Sequence, residues 1–169
     1  MATRATNASD GPAPFGIGFH PYLTVGVAVD RVALTLPASR RILTDERALP
    51  VGQEEVGGTA FDFRTARAVG AGRLDTCFAG LERGDDGRVR ARAEAGEGGV
   101  DLWADEGFAY LQAYTGDTLQ PVSRRRQAIA IEPMTCPPNA LATGTDLIRL
   151  EPGATWTGTW GIEPRPPKA

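Results

Sequence analysis

Lysine and histidine are almost missing from this chain: Lys168 and His20 are its only examples in 169 residues, and nearly all the basic charge is carried by arginine. Arginine can replace lysine on a solvated surface without changing a fold, so the first scarcity says little. The second says more. One histidine and two widely separated cysteines, Cys77 and Cys136, supply no ligand set for a transition metal, and no metal is expected. The two cysteines also make no disulfide framework, so reduced thiols in a cytoplasmic protein are expected. No apolar run approaches the roughly 18–20 residues needed to span a bilayer, which excludes a membrane partner. The opening MATRATNASDGPAP has no apolar stretch of a secretory signal, so the Asn7-Ala8-Ser9 sequon has no glycosylation context. A net charge of −3 gives no basic surface to neutralise phosphates, which argues against a nucleic-acid partner. There is no G-x-S-x-G elbow. The glycine fragments at Val51-Gly52-Gln53 and Gly70–Asp75 do not lie between a strand and a helix, so neither is a phosphate loop. No stretch of ten or more residues has helical periodicity.

What the chain does contain is turn residues and alternation. It has 21 glycines and 13 prolines, while hydrophobic residues make up 41% and charged residues 23%. That composition suits one soluble globular domain over 1–169, rich in turns and poor in long helices. Val32, Leu34 and Leu36 alternate with Ala33 and Thr35 until Pro37. Val100, Leu102 and Ala104 alternate with Asp101 and Trp103. Phe108, Tyr110, Gln112 and Tyr114 are expected on one face, and Ala109, Leu111 and Ala113 on the other. Strands are therefore predicted near 27–36, 100–105, 108–115, 127–133, 146–150 and 155–162, with turns at 84–87, 96–99, 116–117 and 152–153. Thr65–Val69 and Asn139–Thr143 are each predicted to be a single helical turn. Much of 37–75 should be irregular surface connection, and residues 1–4 and 165–169 should be disordered ends. The pattern is that of an all-β, antiparallel sandwich or barrel.

Three polar residues are candidates for chemistry. His20, in GIGFHPYL, follows two glycines that permit tight backbone and precedes a proline that favours an extended conformation. A histidine titrates near pH 6.5 and can give or take a proton at neutral pH. Glu132 closes the apolar run AIAI, on the face opposite Ile129 and Ile131, and three prolines follow close behind. It is either a strand-end carboxylate in solvent or a partly buried one, raised in pKa and suited to act as a base. Asp75, in RLDTCF, is either a turn residue or a group that binds ligand. Tyr22, Phe78, Trp103, Tyr110 and Tyr114 fit a core, while flat rings such as Tyr22 and Tyr114 also suit the wall of a sugar-sized cleft. Arg124-Arg125-Arg126 is most simply a solvated loop, with phosphate binding as the alternative.

These segments together resemble the aldose 1-epimerases, or galactose mutarotases. The resemblance lies in ATNASDGPAPFGIGFHPYL at 5–23, LPASRRILTDERALPVG, RLDTCFAGL, LQAYTGDTL, IAIEPMTCPPNAL and LEPGATWTGTWGI, in family order, over about residues 5–164. It implies a mutarotase-like antiparallel β-sandwich with an open sugar cleft and no catalytic cofactor. It implies His20 as general acid, Glu132 as general base and Asp75 on the sugar; Tyr22 and Tyr114 are the aromatic residues expected to join Asp75 in substrate binding. The implied reaction interconverts the α and β anomers of an aldose such as glucose or galactose. A hexose-6-phosphate epimerase and a non-catalytic carbohydrate-binding sandwich are the alternatives. Members of the family are longer and have an N-terminal half ahead of the His-Pro-Tyr segment, with further sugar-binding groups. The resemblance therefore implies that this chain lacks part of the cleft wall, and that exposed sheet edges favour self-association or a partner chain.

Overall fold

The computed structural model describes residues 1–166. In chain order the strands are β1 (Ala2–Thr6), β2 (Ala13–Phe15), β3 (Tyr22–Leu23), β4 (Ala33–Thr35), β5 (Ala38–Thr44), β6 (Pro50–Glu55), β7 (Arg67–Ala68), β8 (Asp75–Leu81), β9 (Val89–Ala95), β10 (Gly98–Ala104), β11 (Tyr110–Tyr114), β12 (Ile129–Met134), β13 (Ile148–Leu150) and β14 (Thr155–Arg165). Among the described residues one short α-helix, α1 (Ala140–Thr143), ends at Gly144, whose φ of 75° provides the left-handed turn that stops it. No helix among the described residues is long and apolar enough to cross a membrane.

The strands form two six-stranded sheets and a small ribbon. The first sheet runs β1-β14-β10-β9-β4-β7, the second β3-β12-β11-β8-β5-β6, and β2 pairs with β13. Every pairing is antiparallel. The main core lies between the sheets. Leu34, Val89, Ala91, Ala93, Leu102 and Ala104 enter it from the first sheet, and Phe78, Leu111, Ala113, Ile129 and Ile131 from the second. Each set is every second residue of its strand, which is how a pleated strand puts one face inward. The opposite face of the second sheet carries a smaller apolar cluster of Ile42, Cys77, Ala79 and Tyr110, with Met134 against it. That open face also carries the polar residues of interest.

Several expectations need correction. Residues 1–4 are not a disordered end. Ala2–Thr6 pairs with β14 from Ala2↔Thr159 to Thr6↔Thr155, a long-range contact that a small, polar stretch does not advertise. At the other end Arg165 closes β14 opposite Gly99, and 167–169 lie outside the described residues. The segment 37–75 is irregular over more than half its length, as expected, but β5 and β6 form a hairpin within it. Its arginines disguise it, because Arg41 lies 3.5 Å from the Phe61 ring centre and bonds Glu54 through Nε at 2.6 Å. Thr65–Val69 makes no helical turn, since Arg67–Ala68 pairs with β4. Within 27–36 only Ala33–Thr35 is strand, after a 3-10 turn at Val29–Arg31. Phe108 does not share a face with Gln112. The Asp105–Phe108 turn precedes β11 and drops Phe108 into the main core.

Candidate active site

His20 is placed by a segment that runs along β12 without being a formal strand. Gly18 bridges Met134, the Phe19 amide donates to Pro133 O at 3.1 Å, and the Thr135 amide donates to Ile17 O at 3.0 Å. A Cβ on Gly18 would stand 3.1 Å from Met134 Cγ, so glycine leaves room for the Met134 side chain. Extended geometry then sends neighbouring side chains to opposite sides. Phe19 packs inward, with ring centres 5.2 Å from Trp160 and 6.1 Å from Phe108. His20 points outward onto the open face of the second sheet. Its Nε2 is 3.0 Å from Glu132 Oε1, and the two side chains are 52% and 13% exposed.

Glu132 projects from β12 on the side away from Ile129 and Ile131. The strand continues two residues past it to Met134. Directly opposite on β11 is Gln112, whose Nε2 donates to Asp75 Oδ1 at 2.7 Å. Asp75 opens β8 opposite Tyr114. Three neighbouring strands thus bring a carboxylate, an amide and a second carboxylate together on one face, Asp75 standing two residues along β8 from Cys77, which is opposite Gln112. Burial pushes the Glu132 carboxyl up to about 7; the His20 charge opposes that rise and the Asp75 charge adds to it. Gln112 Oε1 is buried with no hydrogen-bond partner among the described residues, which leaves an acceptor beside Glu132 unsatisfied. Gln112 was not a sequence candidate. Its signal was its place between Tyr110 and Tyr114 on one face of an alternating strand.

The two tyrosines flank the histidine. The Tyr22 ring centre is 5.0 Å from that of His20 in a tilted arrangement, and Tyr114 stands 6.4 Å away nearly perpendicular. Tyr22 lies on the edge strand β3 and is 40% exposed; burial first, then the charges of Tyr114, Glu132 and Asp75, raises its pKa. The Tyr114 hydroxyl is held at 2.7 Å from Thr118 Oγ1. His20, Asp75, Gln112, Tyr114, Glu132, Met134 and Pro138 line an open recess of about 240 Å³, with Tyr22 next to His20 outside that lining.

Arg126 is not a solvated loop residue. It bonds Asp30 at 2.5 Å, Asp117 at 2.9 Å and the carbonyls of Gly70 and Gly72. Its guanidinium is committed to holding three loops together and is not turned to a phosphate. Among the described residues no group of three or more His, Cys, Asp or Glu side chains is arranged to hold a metal ion. Both cysteines are free; Cys77 is buried, and that burial pushes its thiol up to about 12.

Comparison with known proteins adds to this geometry. The model of the family described as aldose 1-epimerase matches residues 1–163. The Escherichia coli (strain K12) protein YihR, itself uncharacterized, is 35% identical over 142 residues, which is 83% of this chain and 43% of that protein. A galactose mutarotase-like protein from Clostridium acetobutylicum superposes with a TM-score of 0.77 at 18% identity, over 96% of this chain and 51% of its own. The galactose 1-epimerase of Lactobacillus acidophilus gives a TM-score of 0.72 at 24% identity, over 94% and 51%. At these identities the solved structures show a common fold. The chain spans about half the length of the relatives it matches.

Proposed function

This chain belongs to the aldose 1-epimerase family, and from that membership we propose that it interconverts the α and β anomers of an aldose by acid–base ring opening and closure. The observation that carries the proposal is the pairing of His20 and Glu132 at 3.0 Å in an open recess, with the Glu132 carboxyl raised to about 7 by burial. A group whose pKa lies near the working pH is both available and basic enough to move a proton.

The reaction needs two proton transfers at oxygens that share one carbon. The Glu132 carboxylate takes the proton from the C1 hydroxyl. Protonated His20 gives a proton to the ring oxygen O5. The C1–O5 bond breaks, its electron pair stays on O5, and C1 becomes a carbonyl. Rotation about C1–C2 presents the other carbonyl face, and the reverse transfers close the ring as the opposite anomer. O1 and O5 are both attached to C1, so an acid and a base this close together can serve both. Asp75, held by Gln112, accepts hydrogen bonds from sugar hydroxyls. Tyr22 and Tyr114 offer ring faces to the C–H side of the sugar. Each positioned proton-transfer group can supply roughly 10²–10⁴-fold.

Polarimetry on freshly dissolved α-glucose and α-galactose tests the proposal. Catalysed decay of the rotation that disappears in His20→Asn and Glu132→Gln supports it. Sugar binding without catalysed decay replaces it with a carbohydrate-binding role.

A further inference from the structure

One wall of the reaction recess belongs to neither sheet. Pro138, which lines it beside Met134 and Glu132, lies in the connection from β12 to β13. That connection folds mostly on itself. The amides of Ala142 and Thr143 donate to Asn139 O at 3.0 and 3.1 Å, that of Gly144 to Ala140 O at 2.7 Å, and that of Leu147 to Gly144 O at 3.3 Å. Asn139, Gly144 and Asp146 have left-handed φ values of 63°, 75° and 47°. Among the described residues one hydrogen bond ties 137–147 to the sheets: the Tyr110 hydroxyl, on β11, donates to Asp146 Oδ2. We propose that 137–147 is a strap over the reaction recess, and that Asp146, latched by Tyr110, is a positioning residue that sets Pro138 against the bound sugar. This rests on the anomer-interconverting reading above and adds a residue to its machinery.

The strap has room to move. A recess of about 590 Å³ lies on one flank, among Phe15, Ile17, Leu141 and Leu147. Another of about 190 Å³ lies on the other, where Pro137 and Pro138 face Ile42, Gly52 and Gln53 of the β5–β6 hairpin. Pro138 lines both of these as well as the reaction recess. Pro137 and Ala140 are buried, but every residue from Leu141 to Asp146 is exposed. The far half of the strap therefore gains little from packing, and its tie to Tyr110 governs where it rests. The internal bonds join Asn139 to Leu147 as one unit, so a tie at Asp146 is felt at Pro138, the neighbour of Asn139.

The latch itself stands on the strand that builds the site. Tyr110 is two residues from Gln112 on the same face of β11, buried, and opposite Met134. Burial first, then the bond to Asp146, raises the pKa of its phenol, so the hydroxyl keeps its proton and remains a donor. A buried hydroxyl without a partner is costly, and Asp146 supplies the acceptor. What the strap gives the reaction is preorganisation. A sugar that binds fully only when Pro138 is in place loses apparent affinity in proportion to the fraction of chains whose strap has moved away. Proton transfer in the closed form is untouched, so loss of the latch is read in KM and not in kcat.

The test measures KM and kcat for mutarotation of α-glucose and α-galactose in Tyr110→Phe, Asp146→Ala, their double variant and Asp146→Asn. Tyr110→Phe keeps the ring in its apolar cluster and Asp146 is exposed, so the fold is retained in each. KM is expected to rise about tenfold, equivalent to 1.36 kcal/mol, in Tyr110→Phe and in Asp146→Ala, and no further in the double variant, with kcat unchanged. Asp146→Asn keeps an oxygen acceptor for the hydroxyl and should stay near the parent. A KM that neither single variant moves, a loss confined to kcat, or losses that add in the double variant overturn the proposal. If the parent turns over no sugar, the mutarotase reading fails separately, and native-state hydrogen exchange decides whether the strap is latched. Faster exchange of the Ala142, Thr143, Gly144 and Leu147 amides in Tyr110→Phe, with β9 unchanged, supports the latch. Exchange unchanged there, or raised equally in β9, overturns it.

Discussion

Glu132 carries a stability penalty that follows from its proposed role. Its carboxyl is raised from 4.5 to about 7 by burial. Between those values the folded chain retains a proton that the unfolded chain has released, so stability falls as pH rises across that window. At 1.36 kcal/mol per unit the loss is on the order of 3 kcal/mol once both are ionised. Glu132→Gln keeps the shape and removes the charge. It is expected to abolish mutarotation and, in urea melts, to be more stable than the parent at pH 8 but not at pH 4. Parallel stability curves for the two proteins from pH 4 to 8 would contradict this. Neighbouring Gln112 makes a different prediction. Gln112→Ala frees Asp75 from its 2.7 Å hydrogen bond. A hydrogen bond to a charged group contributes about 1.5–3 kcal/mol, so kcat/KM should fall roughly tenfold or more. The loss should appear mainly in KM, since proton transfer itself is untouched.

The elements that build the site differ in how visibly they are written in the sequence. β10, β11 and β12 show plain alternation, and their inward residues Leu102, Leu111, Ile129 and Ile131 all lie in the core. Glu132 stands out for the same reason, as the first charge after an apolar run. β1, β5 and β9 are hidden because their outward positions carry arginine and their inward positions include alanine. Ala91 and Ala93 are fully or almost fully buried yet too small to signal a core strand. The segment carrying His20 is extended because it leans on β12, a contact more than a hundred residues away that no local pattern shows. Arg126 is another such long-range tie. It fastens the loop before β12 to Asp30 and to the carbonyls of Gly70 and Gly72. Its side chain is only 19% exposed. Arg126→Ala leaves Asp117 without its closest cation and should destabilise the fold by about 3 kcal/mol, read from a shift in the urea midpoint. If Arg126 instead served a phosphate, inorganic phosphate would stabilise the parent against urea and not the variant. No such stabilisation is expected.

At the scale of the whole molecule, the groups proposed to move protons and to hold the sugar all stand on the open face of the second sheet, in a chain that spans about half the length of its relatives. In the proposed function the open recess at His20 offers a sugar the polar side chains of Asp75, Gln112 and Tyr114 beside the proton-transfer pair. Each hydrogen bond to the sugar contributes about 0.5–1.5 kcal/mol, so losing two, as in the Asp75→Ala, Gln112→Ala double variant, should slow mutarotation by roughly one to two powers of ten in polarimetry. An unchanged rate would contradict these sugar contacts.

The pairing of β1 with β14 also has a consequence in time. The Met1 amine and the carbonyl it meets on Trp160 are 159 positions apart. The β9–β10 hairpin closes across only Gly96 and Glu97, with Gly96 at a φ of 60°. Closing a long loop loses more chain entropy than closing a short one, and ordering it late is the cheaper route. The hairpin should therefore form early and β1 should dock last, onto a sheet that already exists. In native-state hydrogen exchange the amides of Ala2–Thr6 should open at lower free energy than those of Val89–Ala95, with no loss of the second sheet. Refolding of a chain lacking Met1–Thr6 should match the parent in its fast phase, because the missing strand would join only after the barrier has been crossed.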